Sequence, residues 1–166
     1  MVDAAVITSE GKELEIVPQV TVSKIGTLSR AAGSGDVYLM TAVASYTDIE
    51  EEDSDEDISM KATAYMVWRD YLGTENQLML IGGNWRVKTS TSDNPFYIKK
   101  VRSEYGVIGG NTFKRDALQT EIKNGAFNAN KEYQNIVGLK LYHTLYVTES
   151  SDITLKMNAV SSILST

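Results

Sequence analysis

The sequence predicts a mainly β fold: an antiparallel β-sandwich, or a jelly roll or barrel, with one flanking α-helix. Three observations carry this. Period-two alternation of apolar and polar residues recurs along the chain. Turn residues separate the alternating runs at short intervals. Helical periodicity appears in one segment only. The chain has 166 residues, 42% of them apolar, which is the length of one domain with enough apolar surface for its own core. One β-rich domain over residues 1–166 is expected, with an N-terminal arm at 1–12 and an acidic loop at 48–58.

Taken in order, residues 2–9 show no firm pattern and are expected to be loosely structured. Residues 14–22 read as a strand that Pro18 interrupts. A proline donates no ladder hydrogen bond, so this stretch is an edge strand or two short pieces. Residues 37–47 are apolar on both faces, the mark of a central strand, and 61–69 are a further strand candidate. Residues 77–81 and 85–89 flank Gly82, Gly83 and Asn84, a hairpin signal. Residues 96–101 and 105–108 are two further strand candidates, punctuated by Gly106, Gly109 and Gly110.

The helix is expected over residues 112–123. Thr112 can cap it, Asn124 and Gly125 can end it, and Phe113, Ala117, Leu118 and Ile122 spread over roughly half its circumference. The C-terminal region alternates most cleanly. Leu139, Leu141, His143, Leu145 and Val147 share one face, and Lys140, Tyr142, Thr144, Tyr146 and Thr148 the other. Residues 149–152 supply a turn, and Ile153, Leu155, Met157 and Ala159 resume the alternation, giving a β-hairpin.

Charge is unevenly placed. The net charge is −6, but the decapeptide 48–57 holds eight acids, and without them the chain is close to neutral. Residues 86–115 hold seven bases against Asp93 and Glu104. These two blocks are the candidate site: Asp48, Glu50, Glu51, Glu52, Asp53, Asp55, Glu56 and Asp57 on one side, and Arg86, Lys88, Lys99, Lys100 and Arg102 on the other. Complementary fields of this kind orient copies or partners.

The same composition excludes much chemistry. Without cysteine there are no disulfides, thiolate metal sites or cysteine nucleophiles. The single histidine, His143, lies on a leucine-lined face. It reads as a buried imidazole bonded to a neighbouring carbonyl or hydroxyl rather than as a general base. No G-x-S-x-G elbow occurs; the stretch around Ser34 does not match it. Asp53, Asp55 and Asp57 have the opening spacing of a calcium loop. The pattern then fails, with Ile58 where glycine is needed and Ala64 where the bidentate glutamate belongs.

No catalytic residue, metal ligand or cofactor site is therefore expected, and the chain reads as non-enzymatic. Trp85, Phe96, Tyr97 and Tyr105 interleave with the bases, yet no recognised RNA-binding signature accompanies them, so specific nucleic-acid binding is not expected. No apolar run is long enough for a membrane helix, and the start lacks the plan of a signal peptide.

The strand-rich halves, the helix candidate at 112–123 and the acidic segment from Ser45 to Asp57 ahead of the strand at Lys61 together carry a resemblance. In pattern the chain resembles bacteriophage virion structural proteins, of the tail-tube or capsid- and tail-decoration β-sandwich type. The resemblance implies a structural protein that is made in the host cytoplasm and resides in the virion. It would self-assemble as a homo-oligomer into a ring, tube or shell and contact other virion proteins. The acidic loop would then line a channel, letting DNA pass without sticking, or dock on a basic patch of the neighbouring copy. The competing class is a carbohydrate-binding or other ligand-binding sandwich. Its platform would be Trp68, Trp85 or exposed tyrosines.

Overall fold

A computed structural model describes residues 2–30, 33–49, 57–71, 75–89, 97–117, 124–129 and 136–161. In chain order the strands are β1 (Val2–Ile7), β2 (Glu13–Ile16), β3 (Gln19–Arg30), β4 (Gly33–Ile49), β5 (Asp57–Tyr71), β6 (Glu75–Thr89), β7 (Ile98–Val107), β8 (Thr112–Ala117), β9 (Asn124–Ala129), β10 (Val137–Gly138), β11 (Leu141–Glu149) and β12 (Thr154–Val160). They form two antiparallel sheets. The first runs β2-β1-β12-β11-β7-β8; the second runs β10-β6-β5-β4-β3, with β9 also on β6. Strands β11 and β12 of the first sheet pack over β4, β5 and β6 of the second, a sandwich-like arrangement.

The core follows from alternation. In β11 Leu141, His143, Leu145 and Val147 are buried, and in β12 Leu155, Met157 and Ala159 are. Facing them, β4 and β5 offer Met40, Ala42, Ala44, Met60, Ala62, Ala64, Met66 and Trp68. Ala44, Ala62 and Ala64 give Leu145, Leu155 and Trp85 of the same cluster room to interdigitate. A register shift at Val67/Trp68 leaves Met79 without an opposite residue. This bulge changes the parity of β6, so Leu78 and Ile81 both reach the core.

Several expectations hold. Pro18 separates β2 from β3, and each lies at the edge of a different sheet. The expected central strand at 37–47 lies within β4, between β3 and β5. The C-terminal hairpin is present, with Thr148 opposite Thr154 and His143 opposite Ala159.

Others are corrected. The flanking helix expected over 112–123 does not begin at Thr112. Residues 112–117 are β8, paired to β7 from Gly106↔Thr112 to Val101↔Ala117, and residues 118–123 lie outside the described residues. Pairing overrides local helical propensity here. The ring of Phe113 stacks on that of Tyr105 at 5.8 Å, a contact that a strand register supplies. Residues 96–108 do not give two strands; Ile98–Val107 is one strand, closed by the turn around Gly109, whose φ is +83°. The segment at 2–9 is not loose: β1 lies inside the first sheet, with β12 on one side and β2 on the other.

The Gly82-Gly83-Asn84 turn is also corrected, because β6 passes straight through it. Gly82 stands opposite Tyr65, and a Cβ built on it would lie 2.1 Å from the tyrosine ring. The glycine is there to let an aromatic ring lie across the neighbouring strand. Burial under this packing raises the Tyr65 phenol above its usual pKa. Gly82→Ala is expected to cost about 1–3 kcal/mol in urea unfolding. The loss should shrink in a Tyr65→Ala background, where no ring opposes the new methyl. Equal losses in both backgrounds would show that the ring is not the obstacle.

Candidate functional site

The outward face of the first sheet can be read rung by rung. One row runs Glu15, Ala5, Lys156, Tyr146, Arg102 and Asp116; the adjacent row runs Glu13, Ile7, Thr154, Thr148 and Lys100. A third row places Asp3, Asn158, Thr144, Glu104 and Lys114 side by side. Alternation dictates this face, since every second residue of β11 and β12 is committed to the core.

Tyr146 is its centre. Two shallow depressions flank that ring. One, of about 340 Å³, is lined by Ile7, Lys100, Arg102, Glu104, Thr148 and Thr154 with Tyr146. The other, of about 280 Å³, is lined by Asp3, Ile108, Tyr142, Thr144, Lys156 and Asn158 with the same ring. The Lys156 ammonium lies 5.8 Å from the Tyr146 ring centroid and 3.7 Å from Glu13. Partial burial raises the Tyr146 phenol above its usual pKa, and the Glu104 carboxylate adds to the shift. The hydroxyl side chains are tied to one another. Thr148 and Thr154 bond across the hairpin at 2.8 Å, Thr144 donates to Asn158 at 2.8 Å, and Tyr142 donates to Thr112 at 2.6 Å. The face is thus broad, polar, mixed in charge and pre-ordered.

The sequence-predicted residues divide between the sheets. Lys100 and Arg102 wall the first depression. Lys99 is engaged with Asp152 at 2.5 Å, and that hydrogen bond, reinforced by the aspartate's charge, raises the lysine pKa. Arg86 and Lys88 belong to β6 in the second sheet, where they stand opposite Lys61 and Ser59 of β5. Lys61 and Arg86 are both exposed, a like-charge pair directly across two strands. The basic block is therefore two features on different sheets. Among the acids, Asp48 and Asp57 lie where β4 pairs with β5, opposite Ile58 and Ile49. Glu50, Glu51, Glu52, Asp53, Asp55 and Glu56 lie outside the described residues.

Sequence reasoning did not single out Lys61, Lys156, Glu13 or Glu15 as parts of a charged surface. Their period-two positions placed them outward, but only strand order brings them beside Arg86 and Tyr146. The proposed aromatic platform is corrected as well. Trp68 and Trp85 are 1% and 2% exposed, so neither can stack on a ligand; Tyr142 and Tyr146 are the outward aromatics that line the depressions.

His143 is fully buried and joins the sheets. Its Nδ1 lies 3.1 Å from the Tyr65 carbonyl oxygen of β5. A carbonyl only accepts, so Nδ1 carries the proton and donates. Nε2 is then the acceptor for the Ser103 hydroxyl of β7, 2.5 Å away. Burial lowers its pKa to about 4, although the carbonyl bond opposes the shift. Both nitrogens are engaged within the buried core, an arrangement that ties the two sheets together.

Among the described residues no group of three or more His, Cys, Asp or Glu side chains could hold a metal ion, and no helix is long and apolar enough to cross a membrane. The chain matches no family model, no curated protein and no solved structure.

Proposed function

We propose that this chain is a non-enzymatic structural subunit that self-assembles into a ring, tube or shell, and that it serves in a bacteriophage particle as a tail-tube or decoration component. One observation supports this most directly. The basic pair Lys100 and Arg102 lies on the outward face of the first sheet, whereas the eight-acid segment joins β4 to β5 in the second. A basic outward face and, elsewhere in the sequence, a dense acidic segment suit head-to-side contact between copies of one chain. The shallow, broad surface around Tyr146 fits docking of a protein face better than enclosure of a small substrate, which calls for a deep, mostly apolar pocket.

The test reverses the basic charges. A combined Lys99→Glu, Lys100→Glu and Arg102→Glu variant is expected to lower the assembled fraction at least tenfold in light scattering behind size exclusion. Its circular dichroism and melting curve should stay near those of the parent, because exposed ion pairs contribute little to the fold. Reversing Glu50, Glu51 and Glu52 to lysine in the same chain should restore assembly. Unaltered assembly in the first variant would overturn the electrostatic reading.

A further inference from the structure

The two edges of the first sheet are complementary. We propose that this sheet continues from one copy of the chain into the next, β2 of one copy pairing antiparallel with β8 of its neighbour. The proposal rests on the assembly reading above and names the surface and the partner, a second copy.

Strand polarity is the first argument. The sheet has six strands and every neighbouring pair is antiparallel. With an even count, the two edge strands run in opposite directions. Placing one copy beside another without inverting it therefore brings β8 against β2 in the antiparallel sense, and the alternation carries on across the junction. The outward faces of the two copies stay on the same side.

Charge is the second. The outward residues of β2 are Glu13 and Glu15, both exposed. On β8 the outward residues Thr112 and Lys114 are exposed, and Lys114 carries the charge. Within the chain these groups are only loosely paired, Lys114 with Glu104 at 3.9 Å and Glu13 with Lys156 at 3.7 Å. A register with Leu14 opposite Phe113 sets Glu13 opposite Lys114. Shifting it by two residues would bring Glu15 opposite Lys114 but set Glu13 opposite Asp116, so charge favours the first register, which has no like-charge pair.

Apolar surface is the third. Leu14 and Phe113 stand opposite Val6 and Tyr105, both buried, and so occupy the core-side rows of the sheet. They are nevertheless 46% and 42% exposed, since among the described residues β2 and β8 are the edge strands of this sheet. The proposed register brings these two side chains together and covers both.

The contrast with β3 supports the choice. That edge of the second sheet is the longest, at 12 residues. It is interrupted by a bulge between Lys24 and Gly26 and carries the Lys24–Asp36 ion pair at 3.2 Å, devices that discourage strand addition. The pairings of β2 and β8 with their inner neighbours contain no such shift. A junction between two different edges is heterologous, so it closes a ring or propagates as a tube.

The absence of cysteine makes the test direct. The double variant Leu14→Cys, Phe113→Cys is assembled and then oxidised. Within one chain these positions lie at opposite edges of a six-stranded sheet, roughly 24 Å apart at about 4.8 Å per strand. That is far beyond the reach of a disulfide, so any bond must join two copies. The expected result is a ladder of covalent multimers on a non-reducing gel, collapsing to monomer with reductant. Each single variant should stop at dimer. A ladder from Leu14→Cys with Arg115→Cys in place of Phe113→Cys would support the same junction shifted by two residues. If light scattering shows assembly but neither pair gives a ladder, the junction is wrong and the assembly reading stands. If the parent chain forms no assembly at any concentration, both are overturned.

Discussion

Between pH 6.5 and pH 4 the fold is expected to lose roughly 3 kcal/mol through His143. Burial between the sheets lowers its folded pKa to about 4 from an ordinary value of 6.5. In that interval the unfolded chain binds a proton that the folded chain refuses. Stability therefore rises with pH across it, is fully present above 6.5, and fades as the pH falls towards 4. Urea unfolding at half-unit steps measures this. A His143→Gln variant keeps a donor and an acceptor but does not titrate. It should be less stable at pH 7, where Ser103 and the Tyr65 carbonyl lose their fitted partner. Its pH profile should be flatter than the parent's by close to one proton over the interval. Parallel profiles would assign the acid sensitivity to other groups.

The second large effect is expected at Glu149, which is fully buried at the end of β11. Its Oε1 accepts from the Ser151 amide at 3.0 Å, the Ile153 amide at 3.0 Å and the Ser151 hydroxyl. These bonds hold the turn in which Asp152 adopts φ of 67°, a conformation disfavoured for residues other than glycine and asparagine-like types. Glu149→Ala removes all three acceptor bonds and strands two amides. The expected cost is about 2–4 kcal/mol, or a fall in Tm of about 10 °C for a chain of this size. Glu149→Gln keeps Oε1 as acceptor and should lose much less. Equal falls in the two variants would show that the carboxylate oxygen does not organise the turn.

What the sequence made legible was local. The alternation from Leu139 to Ala159 yields a hairpin because turn and partner lie within twenty-odd residues, and the same alternation placed His143 inside. Pro18 acted through a missing amide, which needs no knowledge of the fold. The misreadings share one cause, an element whose state is decided by a distant neighbour. Residues 112–117 carry helix-compatible residues, but the ring of Tyr105 and the open edge of β7 make them a strand. Gly82 looks like turn chemistry until Tyr65 is laid across it. For the candidate surface, Lys100 and Arg102 were recognisable as charges. Their row partners Tyr146, Lys156 and Glu15 come from strands whose order no single-chain pattern encodes. The basic block from Arg86 to Arg115 looked like one patch because sequence distance stood in for spatial distance. The crossing from β6 to β7, between sheets, broke that equivalence.

The pairing of β1 with β12, Val2 opposite Ala159, has a consequence for biosynthesis. At roughly 5–20 residues per second, β12 leaves the ribosome about 8–30 s after β1. Throughout that time β1 has only the short β2 beside it, while β3 to β6 already hold their hairpin partners. The second sheet is therefore expected to form first and to wait, its apolar face bare, for the last strands to close over it. The delay leaves the nascent chain open to chaperones. It also means that β1 and β2 join a complete sheet only once β12 has emerged.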